Sequence, residues 1–111
     1  MYNCIGIKDL DNFLVNNSTN VLLLYFGATW CGPCSQLKQR FTQPDIPQIF
    51  KNLALIYIDV DINENLEIIE LYKIEALPTL IFIKLETDNV CIKSRLEGYD
   101  FNKILIEYNN Y

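Results

Sequence analysis

Residues 21 to 26 read VLLLYF, an unbroken apolar run between Asn20 and Gly27. A strand with one wet face alternates apolar and polar side chains, so a continuous run predicts a strand buried on both faces, central in a sheet covered by helices on either side. That restricts the chain to an α/β architecture, and the flanking sequence has the alternation such a sheet requires. NCIGI, residues 3 to 7, predicts a short strand, and DLDNFLVN after it places Leu10, Phe13 and Leu14 on one helical face with Asp9 as cap. From Cys34, Leu37 and Phe41 continue one helix face until Pro44 and Pro47 interrupt it, which predicts a broken second helix. ALIYID, residues 54 to 59, is the next strand, and the segment from about 65 to 73 puts Ile68, Leu71 and Tyr72 on a helical face. TLIFIK (79 to 84) and VCIKSRL (90 to 96), separated by the polar ETDN, predict a hairpin. Gly98 and Asp100 then precede a last amphipathic helix carrying Phe101, Ile104, Leu105 and Tyr108. Together these segments predict a mixed sheet, parallel on one side and antiparallel on the other, flanked by about four helices.

With 111 residues, 50% of them apolar, and no linker, the expectation is one domain over residues 1 to 111. The net charge is −5, and its nine Lys and Arg are scattered, which argues against a nucleic-acid or anionic-membrane surface. The opening MYNCIGIKDLDNF lacks a basic region followed by a long apolar block, and no stretch reaches membrane-spanning length. A cytoplasmic protein is expected.

Four cysteines, Cys4, Cys31, Cys34 and Cys91, invite a disulfide framework with three possible connectivities. Such frameworks belong to secreted chains too poor in apolar residues to fold alone, which this chain is not. Structural zinc sites generally take four ligands, and here there is no His and a single C-x-x-C pair, so no metal is expected. A redox pair explains the positions themselves. A helix starting near Gly32 puts Cys31 at its N-terminal edge, where free N–H groups and the positive dipole end lower a thiol pKa toward about 7. Cys34 shares its helix face with Leu37 and Phe41, so it points inward and resolves what Cys31 attacks. Pro33 suits the first helical turn, and Gly32 is expected to let the chain bend tightly between the sulfurs. The alternative is a pair of buried thiols that happen to be so spaced.

ATWCGPC, with LPT at residues 77 to 79, resembles the thioredoxin family over nearly the whole chain. The resemblance implies the thioredoxin fold, a five-stranded sheet in the order β1-β3-β2-β4-β5 with the hairpin opposite the first strand. It also implies a cis Pro78 beside the active sulfurs and a Leu77 backbone that pairs with an extended substrate peptide. Trp30, Ala76, Leu77 and Gly98 match positions lining the family's apolar docking surface, although Trp30 also reads as a core aromatic. Gly27 replaces a large aromatic common there, which implies a different substrate preference. Gln39 stands where many members have a helix-kinking proline, implying a straighter, shorter second helix, and LETDN implies a longer hairpin turn. Tyr25 stands where the family has a buried Asp that takes the proton of the resolving cysteine. Tyrosine there is similar to the tryparedoxin and nucleoredoxin branch, whose motif usually carries two prolines between the cysteines. A phenol with a pKa near 10 cannot accept that proton at neutral pH, so Tyr25 can only pack and donate a hydrogen bond. Asp59, whose distance from Pro78 matches a position that the family places beneath the active sulfurs, is by that resemblance the candidate to relay the proton through water. The alternative is a solvated carboxylate at a strand end.

By resemblance the expected function is a protein-disulfide reductase without a cofactor, acting on disulfide-bearing proteins as a monomer. It would be reset by an NADPH-linked thioredoxin reductase or a glutathione-type reductant. A disulfide oxidase or isomerase is the first alternative, favoured less by Gly-Pro between the cysteines, and a thioredoxin-fold binding module within a larger complex is the second.

Overall fold

In a computed structural model, which describes residues 1–87 and 89–111, the strands are β1 (Tyr2–Asn3), β2 (Val21–Gly27), β3 (Leu53–Asp59), β4 (Thr79–Glu86) and β5 (Asn89–Glu97). They form one sheet in the order β1-β3-β2-β4-β5. β1 and β2 run parallel to β3, while β4 runs antiparallel to both β2 and β5. The helices are α1 (Ile7–Asn16), α2 (Gly32–Phe41), α3 (Ile46–Ile49), α4 (Leu66–Leu71) and α5 (Phe101–Asn109).

The reason VLLLYF shows no alternation is visible in the packing. Leu22, Leu24 and Phe26 join Ile56 and Ile58 of β3 and Ile81 and Ile83 of β4 on the face covered by Leu10 and Leu14 of α1 and Ile68 of α4. Leu23 and Tyr25 join Tyr57, Leu80 and Phe82 on the opposite face, against Leu37 of α2, Phe50 and Ile104 of α5. The five side chains from Leu22 to Phe26 are all 0% exposed, so burial drives both halves of the period and neither tolerates a polar residue.

Several elements depart from the sequence expectation. Strand pairing at the N-terminus ends with Cys4, whose N–H donates to Tyr57 O at 3.0 Å, because Gly6 (φ 90) turns the chain into α1. The Gly6 N–H is taken by the side chain of Asn65 at 2.8 Å. Asp9 is not the N-cap; it sits in the first turn of α1 and reaches back to accept the Ile5 N–H at 2.9 Å. The segment after α2 holds a fifth helix, the single-turn α3, since Pro47 lies in its first turn where no N–H is lost. Arg40 forks onto Asp45 at 2.8 and 2.9 Å across the break. α2 itself runs through Gln39 and stops at Phe41. Leu71 is 63% exposed, off the face that buries Ile68 and Tyr72. The hairpin strands pair as far as Glu86 opposite Asn89, so most of the expected turn LETDN belongs to the ladder; Asp88 lies outside the described residues. No described helix is long and apolar enough to cross a membrane.

Cys4, just past β1, and Cys91, within β5, lie at opposite edges of the sheet and are free thiols. Burial, helped by Asp9 and Asp11, pushes the Cys4 thiol up to about 11. Because only the thiolate reacts, iodoacetamide at pH 8 is expected to label Cys91 and to spare Cys4 in the native oxidised protein. Peptide mass mapping reads both sites, and equal labelling would contradict the burial of Cys4.

Candidate active site

The site forms where β2 and β3 end beside the start of β4. Past Gly27 the chain leaves the sheet, the Cys31 N–H returns to Ala28 O at 3.3 Å, and Cys31 becomes the N-cap of α2. Its sulfur accepts the Cys34 N–H at 3.2 Å, one of the donors that the first helical turn leaves without an intrahelical partner. Those donors and the helix dipole favour a negative sulfur at this position. Cys31 and Cys34 are joined as a disulfide with their Cα atoms 5.2 Å apart. The difference in exposure is small, 6% for Cys31 and 2% for Cys34, because Ala28, Val60 and Leu77 close around both.

Pro33 occupies the first turn of α2 as expected. Gly32 does not have the role expected of it. Its φ lies outside the left-handed region and a Cβ would meet nothing within 4 Å, so the bend between the sulfurs does not require glycine. The residue instead leaves bare the exposed surface next to Cys31.

The Leu77–Pro78 peptide is cis. Around it, the Thr79 hydroxyl donates to Ala76 O at 2.6 Å, and the Gly98 N–H donates to Pro78 O at 2.8 Å. Gly98 has φ 87, a conformation that strains any residue with a Cβ, so glycine is what lets the end of β5 meet the proline loop. The structure therefore brings Cys31, Cys34 and Leu77 into one cluster and couples Ala76, Pro78 and Gly98 beside it. Trp30 is not a core aromatic. It is 69% exposed, and its indole N–H donates to Asp61 Oδ2 at 2.7 Å. Sequence reasoning missed Asp61, for which the one signal was the Asp-Val-Asp run closing β3. Asp59 in that run accepts the Asp61 N–H at 2.9 Å and so shapes the loop that presents Asp61.

Tyr25 is 0% exposed and donates its hydroxyl to Cys34 O at 2.5 Å. Burial, reinforced by Tyr57, pushes its phenol above the ordinary value, so it stays neutral and ties β2 to the first turn of α2. Its ring meets that of Tyr57 edge-on at 5.0 Å. Gly27 is explained by the same pair, since a Cβ there would lie 3.1 Å from the Tyr57 ring and 3.2 Å from the Tyr25 ring. The residue is buried, so its lost side chain makes room for two tyrosines inside the protein. An open cleft of about 170 Å³ reaches Cys34 between Ala28, Thr29, Ser35, Lys38 and Tyr57; Asp59 does not line it.

The family model for thioredoxin matches residues 7–107. The chain belongs to the thioredoxin family. It is 38% identical over 65 residues to a thioredoxin H-type of Oryza sativa subsp. indica, covering 58% of this chain and 49% of that one. It is 30% identical over 95 residues to the thiol:disulfide interchange protein DsbD of Haemophilus influenzae, covering 83% of this chain and 16% of that one. The chain thus spans about half the length of the rice relative (49%) and a smaller part of DsbD (16%). Among solved structures, Trichomonas vaginalis thioredoxin superposes with a TM-score of 0.82 at 27% identity, covering 99% of this chain and 96% of that one. In the thioredoxin sheet, the exposed tryptophan and the disulfide follow the carboxyl end of β2, and the cis-proline loop leads into the start of β4 beside it.

Proposed function

We propose that this thioredoxin domain is a protein-disulfide reductase. The observation that carries the reading is the Cys31 sulfur at the N-cap of α2, accepting the Cys34 N–H. In the reduced protein the Cys31 thiolate attacks one sulfur of a target disulfide and the other target sulfur leaves as a thiolate. Cys34 then attacks Cys31, releases the second target thiol and closes the Cys31–Cys34 bond. Trp30, Ala76, Leu77, Pro78 and Gly98 would seat the target as an extended segment, and Asp61 would hold Trp30 in place. A thioredoxin reductase or a glutathione-type system would return the dithiol. This domain, residues 1–111, would work in the cytoplasm as a monomer, with no nucleic-acid or membrane partner.

The test is insulin reduction together with the midpoint potential of the Cys31–Cys34 couple. A reductase is expected to precipitate the insulin B chain catalytically and to show a potential near about −270 mV. A potential of about −180 mV or above would make the protein an oxidase or isomerase instead. Catalytic inertness with both sulfurs reduced would leave a binding module.

A further inference from the structure

Tyr25 leaves the resolving thiol without the carboxylate that usually takes its proton, and the structure offers a different group. The cleft of about 170 Å³ at Cys34 adjoins a second, of about 190 Å³, lined by Cys4, Ile5, Asp59 and Ile62 among others. Tyr57 and Lys38 form walls of both. Lys38 follows Cys34 by one helical turn, so both lie on the same face of α2. Its Nζ is held 4.4 Å from the centre of the Tyr57 ring. The groups around Cys34 are Cys31 at the N-cap of α2, Lys38 from α2, Tyr25 from β2, Tyr57 from β3, and the apolar Ala28, Val60 and Leu77. Asp59 lies across Tyr57 in the second cleft, and Asp61 is bonded to Trp30. Burial raises the pKa of both tyrosines, so neither carries charge at neutral pH. Among the described residues lining the two clefts, Lys38 supplies the single positive charge.

We infer that Lys38 is a positioning residue for the resolving step: its ammonium, fixed over Tyr57 at the cleft that reaches Cys34, stabilises the Cys34 thiolate. The inference rests on the reading of Cys34 as the resolving thiol. In the mixed disulfide on Cys31, the Cys34 thiol gives its proton to solvent water in the cleft, and the resulting thiolate attacks the Cys31 sulfur. The bond between Cys31 and the target breaks, the Cys31–Cys34 bond forms, and the departing target thiolate takes a proton from solvent. One disulfide replaces another, and no further oxidant or reductant enters. An opposite charge nearby favours the ionised thiol, while Asp59, a like charge beyond the ring, opposes it.

The experiment is stopped-flow decay of a preformed mixed disulfide between Cys31 and thionitrobenzoate, followed from pH 6 to 9 by released thionitrobenzoate. Wild type, Lys38→Met, Lys38→Glu and Lys38→Arg are compared, and Cys34→Ser serves as the reference for the reading beneath. Lys38→Met is expected to slow decay about fivefold at pH 7 and to move the pH midpoint upward, with Lys38→Glu slower again and Lys38→Arg near wild type. Because the charge is solvent-exposed, 1 M NaCl should erase most of the difference between wild type and Lys38→Met, which a packing defect would not do. If Cys34→Ser decays as fast as wild type, the resolving role of Cys34 is wrong and the inference falls with it. If Cys34→Ser is stable but Lys38→Met and Lys38→Glu follow the wild-type profile, Cys34 resolves without Lys38 and the inference alone is overturned.

Discussion

Cys31→Ser is expected to bring insulin turnover down to the uncatalysed background, and Cys34→Ser to turn the protein into a trap that ends as a mixed disulfide with its target. The asymmetry comes from what each sulfur faces, since their exposures differ by little. Cys31 caps α2 and already accepts the Cys34 N–H at 3.2 Å. In the reduced protein that donor and the helix dipole favour the thiolate at Cys31 over that of an ordinary cysteine. Cys34 is one turn inside the helix and 2% exposed; among the described residues no N–H is aimed at its sulfur, which can reach only a sulfur already bonded to Cys31. Non-reducing electrophoresis and intact mass of each variant, incubated with a disulfide-bearing protein, read the outcome directly. A stable adduct on Cys31→Ser, with turnover retained by Cys34→Ser, would mean that the helix terminus does not select the nucleophile.

The sequence was most informative where burial is total and least informative where a single side chain decides. The central strand, the parallel and antiparallel halves of the sheet and the α2 start all follow from apolar patterning and from Cys-Gly-Pro-Cys. Boundaries set by one residue were not legible. Gly6 at φ 90 cut the first strand short, and nothing in NCIGI distinguishes a glycine that continues a strand from one that ends it. α3 was hidden because prolines signal a break in a helix but do not say that a new turn begins at once. Within the site, the sulfurs were readable from their spacing and the cis proline only through the family resemblance, whereas Asp61, Tyr57 and Lys38 were not. Each matters through a partner distant in sequence: Trp30 for Asp61, Gly27 with Tyr25 for Tyr57, and the Tyr57 ring for Lys38. Gly27 and Tyr25, taken singly, look like two unrelated departures from the family. In the fold they are one substitution of packing, in which two tyrosine rings meet over a missing side chain.

That coupling determines what happens when the family's carboxylate is restored. From sequence alone, Tyr25→Asp is expected to speed resolution provided the fold accepts a buried carboxyl, and the structure argues that acceptance is poor. The Tyr25 ring packs against Tyr57 at 5.0 Å and Phe41 at 6.4 Å, and its hydroxyl holds Cys34 O. Replacing the ring leaves a cavity of the kind that costs about 3 to 5 kcal/mol in aromatic-to-small substitutions, and the new carboxyl adds a desolvation penalty. Tyr25→Phe keeps the ring and loses one hydrogen bond, about 1 kcal/mol. The pH dependence separates the two. Burial raises the folded-state pKa of the new carboxyl above its unfolded value of about 3.9, so the unfolded chain gives up the proton first as pH rises. Stability of Tyr25→Asp is then highest below about pH 4 relative to wild type and falls as pH climbs through the folded pKa, while the Tyr25→Phe deficit stays flat. Urea unfolding of the three proteins between pH 4 and 8 measures both the size and the slope. A Tyr25→Asp protein as stable as wild type at pH 8 would show that the tyrosine pair is dispensable to the fold; a deficit of several kcal/mol that deepens with pH would show why Tyr25 cannot simply be exchanged for the carboxylate, and why the proton of Cys34 needs another route.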